Sequence, residues 1–337
     1  MKCCSACFGD RSLTTFIFPT LNPESGTCNY CRVESQSLIN PIQLRDHFET
    51  LISIYRISEA GKTIAEWLKE DWLLFPKMDP ANAMLLLVEV LDDGNITRHK
   101  FSPNTDHETI SLDAWNAFRT ELMHQNRFFP NSALDQDRLE SLVSHINIQA
   151  GELGTNWFRA RVQEEDKPYT ADKMGAPPER KATHGRANPA GIPYLYLASD
   201  STTAISEIRP HTGELINVAK FSIDRSLELV DLRRPRELVS PFVLADETEI
   251  SLLRQDIGFL EYLGNELMRP VLPKAAAIDY IPSQYLCEFI KKCGFAGVIY
   301  NSSVGEGINL ALFNPDDAYI SNEITQRSVS RVSIETK

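Results

Sequence analysis

The sequence predicts an α+β protein: a mixed-sheet C-terminal domain preceded by a mainly helical domain and a small cysteine-rich module. Three observations predict it. Two Cys-x-x-Cys pairs lie in an N-terminal segment without apolar periodicity. Residues from about 40 to 150 repeat apolar side chains at helical spacing. Beyond about residue 155 the pattern turns to short β-rich runs bounded by Gly, Pro and Asn. The expected division is therefore 1–36, 37–150, 151–325 and a tail, 326–337. With 337 residues the chain is long enough for about two domains with cores of ordinary size.

In the first module, Cys4-x2-Cys7 and Cys28-x2-Cys31 are separated by 20 residues, the spacing of a four-cysteine zinc site. Each turn places two thiolates on one edge of a tetrahedron, and the two turns together close it. Such a zinc has no open position and is structural, supplying folding energy to a segment too short for its own core. Cys3 leaves three residues before Cys7, so Cys4 is the better ligand. Basic residues are few there (Lys2, Arg11, Arg32), which favours a structural or partner-docking role over nucleic-acid binding.

The helical region opens with Leu44, Phe48, Leu51, Ile52 and Tyr55 on one face. Ser111 is the expected N-cap of a second helix with a Leu112, Trp115, Phe118, Leu122 stripe, and a third carries Leu139, Leu142, Val143 and Ile146. Residues 85–90 are ambiguous between strand and buried helix. In the last region, strands are expected at 157–162, 194–198, 216–223, 227–232, 297–302 and 308–313. Helices are expected at 202–208, 247–268 and 283–293, the last stopped by Gly294. Residues 321–337 alternate weakly, as a terminal strand or a loose tail.

Charge and hydropathy narrow the function classes. Lys and Arg total 34 against 46 Asp and Glu, a net charge of −12, which argues against a protein that grips phosphate backbones but leaves room for one basic pocket. No run approaches the ~18 apolar residues of a membrane span. The best, Met84 to Leu91, is broken by Glu89. The N-terminus has no apolar leader region, and an odd seven cysteines without an export signal argue against a disulfide framework. A cytoplasmic protein with no membrane partner is expected.

Polar residues that a plain core would not hold are concentrated after residue 155. Arg159 and Arg161 alternate in a strand-like run, Trp157-Phe158-Arg159-Ala160-Arg161-Val162, and so share a face. The loop Gly185-Arg186-Ala187-Asn188-Pro189 delivers an Arg and an Asn ahead of the strand bearing Tyr196. Asp200-Ser201 start a short helix carrying Ala204 and Glu207, followed by Arg209-Pro210-His211. A final strand, Gly297-Val298-Ile299-Tyr300, runs into Ser302-Ser303, a glycine turn and Asn309-Leu310-Ala311-Leu312-Phe313.

In this order the six motifs resemble a RES domain, the family named for its Arg, Glu and Ser, over about residues 155–320. The resemblance implies an ADP-ribosyltransferase-like fold that binds NAD+ as substrate in a cleft and breaks its nicotinamide–ribose bond. It also implies a bacterial toxin or phage-defence effector. Carried over, the catalytic positions are Arg159, Tyr196, Glu207 and Ser302. Around them Arg186, Asn188, Arg209, His211 and Ser303 are expected to bind the substrate's polar groups, with Arg209 and His211 suited to an incoming phosphate. Ala296 stands where the family commonly has an acidic residue. Hydrolysis, phosphorolysis and protein ADP-ribosylation are the alternatives for the acceptor. Expected partners are inorganic phosphate, an antitoxin or regulatory protein, and a second copy of the chain. The segment before the domain is similar to the HEPN-like region ahead of some RES domains. Arg119 and His124 match the Arg-x4–6-His spacing of HEPN ribonucleases, so an RNA-directed protein is the competing function.

Overall fold

The computed structural model describes residues 1–104, 112–132 and 134–332; the expected cap at Ser111 lies outside them. In chain order the strands are β1 (Cys3–Cys4), β2 (Glu24–Thr27), β3 (Glu34–Ile39), β4 (Tyr55–Lys62), β5 (Phe101–Pro103), β6 (Asn147–Gln149), β7 (Trp157–Val162), β8 (Leu195–Ala198), β9 (Leu215–Ile223), β10 (Glu228–Asp231), β11 (Gly297–Asn301), β12 (Ile308–Leu312) and β13 (Ala318–Ser328). The helices are α1 (Arg45–Ile52), α2 (Ile64–Trp72), α3 (Pro80–Leu91), α4 (Leu112–His124), α5 (Gln136–Ser144), α6 (Ser201–Glu207), α7 (Pro235–Leu238), α8 (Glu247–Met268), α9 (Ala276–Asp279) and α10 (Ile281–Lys292).

The chain divides into two compact units that do not follow chain order. Met1–Thr109 joins Pro235–Gly258, and Ile110–Arg234 joins Phe259–Lys337. In the first unit β1, β3 and β2 form an antiparallel sheet and β4 pairs with β5. Phe8 packs against Phe18, Phe48 and Phe75, and Phe48 also meets Phe242, so an aromatic core supports a short cysteine-rich segment. Buried Asp71 accepts from Tyr55 Oη at 2.8 Å and Arg254 Nε at 2.6 Å, while Trp72 Nε1 donates to that same Tyr55 hydroxyl. This pairing satisfies a buried carboxylate that would otherwise be costly.

One expectation changes here and one ambiguity is resolved. Tyr55 does not continue the face of Leu44, Phe48 and Leu51: α1 ends at Ile52 and Tyr55 begins β4. Five apolar residues at helical spacing cannot distinguish one long helix from a helix followed by a strand. The ambiguous stretch 85–90 is helical, because Asp79 caps Ala81 N and Asn82 N and Pro80 occupies the first turn of α3.

The second unit is built on an eight-stranded sheet in the order β13-β9-β7-β8-β12-β11-β10-β6. Neighbours are antiparallel except β10 and β11, so the sheet is mixed, as the sequence predicts. Strands 157–162 and 308–313 agree with the expected bounds to within one residue. The helix expected at 283–293 is α10, followed by Gly294 at φ +94°. Of the weakly alternating stretch 321–337, residues up to Ser328 belong to β13, hydrogen-bonded along β9, and 333–337 lie outside the described residues. Helix α6 lies over the small residues Ala160 on β7 and Ala198 on β8 through its own Ala204. Three alanines at one crossing let the helix approach the sheet closely, and that approach sets the site.

Candidate active site

The site is a cavity of about 330 Å³ in the second unit, bounded by β7, β8, α6 and the loop ahead of β8. That volume is of the scale of small-molecule pockets. Four elements deliver its chemistry. Arg159 comes from β7, Tyr196 from β8, Glu207 from the end of α6 and Asn309 from β12.

Local sequence aims Glu207. Asp200 caps α6, its Oδ1 accepting from Thr203 N at 2.8 Å and its Oδ2 from Thr203 Oγ1 at 2.7 Å. The helix stops at Glu207 because Arg209 adopts φ +48° and Pro210 cannot extend it. One turn after Ala204, Glu207 is therefore carried to the cavity wall. Its Oε1 accepts two hydrogen bonds, from Ser302 Oγ at 2.6 Å and from Asn309 Nδ2 at 2.6 Å. The Ser302 hydroxyl is itself oriented: Val304 N donates to its oxygen at 3.2 Å, directing its single proton to Glu207. The turn that carries Ser302 packs on the start of α6. A side chain at Gly307 would bring a Cβ within 2.3 Å of Asp200 Oδ2, so only glycine fits.

Arg159 is the cation of the site. Its Nη1 donates to the Tyr196 carbonyl at a long 3.5 Å, and its buried Nε has no hydrogen-bond partner. Burial, and secondarily the charge of Arg161, pull this guanidinium down to about 10, with Tyr196 acting in the opposite sense. Arg161, which shares its strand, donates instead to the Lys173 carbonyl and stacks on Tyr169 at 5.0 Å.

The Tyr196 hydroxyl donates to Asn188 Oδ1 at 2.6 Å and accepts from Ala187 N at 3.0 Å. With both functions of the hydroxyl engaged, the ring is what Tyr196 offers the cavity. Burial pushes its phenol above the usual range. Asn188 also ties its loop through Nδ2 to the carbonyls of Thr183, Pro189 and Ile192. Gly185 lies against this pair. A Cβ there would fall 2.5 Å from both Asn188 Oδ1 and Tyr196 Oη. Gly185→Ala is expected to break the Tyr196–Asn188 bond and destabilise the second unit by about 1–3 kcal/mol. A thermal melt identical to wild type would show that the loop has room to move.

The remaining sequence-derived positions divide. Arg186 lines the cavity, but its Nη1 donates to the carbonyls of Leu267 at 2.8 Å and Arg269 at 2.6 Å, and its Nη2 to Ser303 Oγ at 3.1 Å. Arg186 and Ser303 thus brace the wall. Arg209 and His211 are exposed and are not among the lining residues, because the left-handed turn at Arg209 carries the chain off the cavity. Sequence reasoning assigned no role to His184, Tyr280, Tyr300 or Asn309, all of which line it. Asn309 and Tyr300 stand inside two of the motifs and were open to assignment. Tyr280, between α9 and α10, gave no local signal. Elsewhere in the unit, half-buried Arg119 lies 3.5 Å from Glu266, while His124 is exposed at the end of α4.

The cysteine cluster lies in the first unit. The Sγ atoms of Cys4, Cys7, Cys28 and Cys31 all fall within 4.8 Å of one another. Neighbouring sulfurs are 3.8 Å (Cys4–Cys7), 3.5 Å (Cys4–Cys31) and 3.3 Å (Cys7–Cys28) apart. A tetrahedron with metal–sulfur bonds of about 2.3 Å has edges of about 3.8 Å, so the four thiols fit a metal ion. Each turn is closed by a left-handed residue, Gly9 at φ +75° and Arg32 at φ +63°. Burial pushes the Cys3 thiol up, and it is not part of the cluster.

Comparison with known proteins adds the following. A family model described as the RES domain matches residues 156–331. Among solved structures, the crystal structure of the M. tuberculosis MbcT–MbcA toxin–antitoxin complex contains a similar chain, at 15% identity and a TM-score of 0.32. The similarity covers 57% of this chain and 94% of that one. No curated protein matches. No helix among the described residues is long and apolar enough to cross a membrane.

Proposed function

Because the chain belongs to the RES domain family, we propose that it is an NAD+-degrading enzyme that cleaves the nicotinamide–ribose bond. The observation that carries this reading is an arginine whose buried Nε has no hydrogen-bond partner and a doubly anchored carboxylate on the walls of one cavity. Nicotinamide leaves as a neutral molecule from a cationic ring and needs no general acid. Positive charge develops instead on the ribose, as in glycoside hydrolysis. Glu207, fixed through Oε1, stabilises that charge through its remaining oxygen. Arg159 answers the diphosphate with the donors that the protein leaves free, and the Tyr196 ring gives the nicotinamide a flat wall. Ser302 acts through Glu207, since its one proton is already donated there.

Water as acceptor yields ADP-ribose and inorganic phosphate yields ADP-ribose 1″-phosphate, so the product identifies the nucleophile. Unrestrained loss of NAD+ stops growth. The chain therefore acts as a toxin or phage-defence effector held in check by an antitoxin or regulatory protein. The four-cysteine cluster takes zinc, which organises the first unit and performs no chemistry. A ribonuclease reading has less behind it, since Arg119 is occupied by Glu266 and lies outside the cavity.

Purified protein incubated with NAD+, with and without phosphate, should release nicotinamide. Arg159→Gln is the diagnostic variant. Lowering an arginine from 12.5 to about 10 corresponds to a folded-state penalty on the order of 3 kcal/mol while it stays charged at neutral pH. Removing the charge should therefore raise the melting midpoint by a few degrees while weakening NAD+ binding at least ten-fold. Wild-type protein that binds NAD+ without turning it over would reduce the site to a binding module.

A further inference from the structure

We propose that Asn309 is a positioning residue for Glu207, equal in weight to Ser302, and that the two together select which carboxylate oxygen meets the substrate. The inference rests on the NAD+ reading and deepens it. Asn309 lies on β12 opposite Tyr300 on β11 and Ala198 on β8, in the middle of the sheet rather than at a flexible edge. It is 6% exposed and lines the cavity. A polar amide so placed requires a partner, and a carboxylate only accepts, so the 2.6 Å contact is Nδ2–H donating to Glu207 Oε1.

Both donors converge on one oxygen. Ser302 arrives from the turn after β11 and Asn309 from β12, and each is held by backbone: Ser302 N donates to the Gly307 carbonyl at 3.0 Å, and Asn309 sits in strand register. Two rigid donors on Oε1 prevent the carboxylate from rotating about its last bond. Oε2 is thereby left as the oxygen available to the ribose. A single donor would leave the carboxylate free to exchange its oxygens. The pair therefore converts a flexible side chain into a fixed negative charge, which is the preorganisation that makes electrostatic catalysis effective.

The test separates the donor from the volume it fills. Asn309→Leu keeps the bulk and removes the donor, Asn309→Asp keeps the shape and replaces the donor with an acceptor, and Asn309→Ala removes both. With nicotinamide release as readout, all three should lower kcat about 10–100-fold with KM within a factor of two, as expected for loss of a hydrogen bond to a charged group. Asp should fall furthest, because it sets one carboxylate against another. In a Glu207→Gln background the Leu substitution should cause no further loss, since its effect runs through the charge of Glu207. Leu with wild-type kcat while Ala is impaired would mean that residue 309 only fills space, and additive losses in the double variant would equally overturn the proposal. Wild-type protein that releases no nicotinamide would overturn the NAD+ reading and this inference together, whereas active wild type with unaffected Leu overturns the inference alone.

Discussion

Glu207→Gln should reduce nicotinamide release by at least 10²–10³-fold, the loss typical when one preorganised electrostatic contact to a transition state is removed. The substitution is chosen because it keeps the packing. A glutamine carbonyl can take the place of Oε1 and still accept from Ser302 Oγ and Asn309 Nδ2, so the helix end and the turn stay where they are. What disappears is the negative charge facing the developing sugar cation. NAD+ affinity should change little, because Arg159 and the aromatic wall do not depend on that charge. The outcome to look for is a variant that binds NAD+ in a titration, melts with wild-type cooperativity and barely turns over. Equal rates in the variant and the wild type would remove Glu207 from the chemistry.

The second large effect concerns the first unit. Metal analysis of the purified protein should find zinc bound to the chain, and Cys28→Ser should abolish it. Structural zinc sites of this type contribute an apparent 10–16 kcal/mol at about neutral pH in peptides that fold only with metal. Here Phe8, Phe18, Phe48, Phe75 and Phe242 already form an aromatic core, so part of the unit's stability comes from elsewhere. The expected result of chelation is therefore a large drop in the melting midpoint of the first unit and early proteolysis around Cys4 to Cys31. A chelator-treated protein with an unchanged melt would show that the thiols carry no structural ion.

Much of the site was legible in the sequence because its motifs have local physical causes. Asp200-Ser201 read as the start of a short helix, and Asp200 caps it; the left-handed Arg209 and Pro210 then leave Glu207 at the last position of α6. Gly185 and Asn188 stand in one motif, and the space between them is what forbids a side chain at 185. Spacing alone brought Cys4, Cys7, Cys28 and Cys31 together, since two tight turns need only one contact to complete a tetrahedron. Other assignments could not be made locally. Arg209 and His211 are close to Glu207 in sequence yet off the cavity, because a left-handed turn reverses direction within one residue. Tyr55 fits a helical stripe and begins a strand, since its burial is decided by Asp71, Trp72 and Arg254, far from it in sequence.

By itself the sequence determined the α+β class, most strand and helix positions in the C-terminal half, the cysteine quartet and the family resemblance. The resemblance rests on the order of its motifs; the rest follows from periodicity, caps and turn chemistry, which act over a few residues. Only the tertiary structure decided which polar groups are already satisfied and which remain free. Whether Ser302 donates to Glu207 or to a ligand, whether Arg186 is a wall brace, and whether Arg159 keeps an unpaired donor all depend on strands and loops that meet across long stretches of chain. Hydrogen-bond capacity is finite, one proton for a serine hydroxyl, and its allocation is a property of the folded arrangement rather than of any residue type.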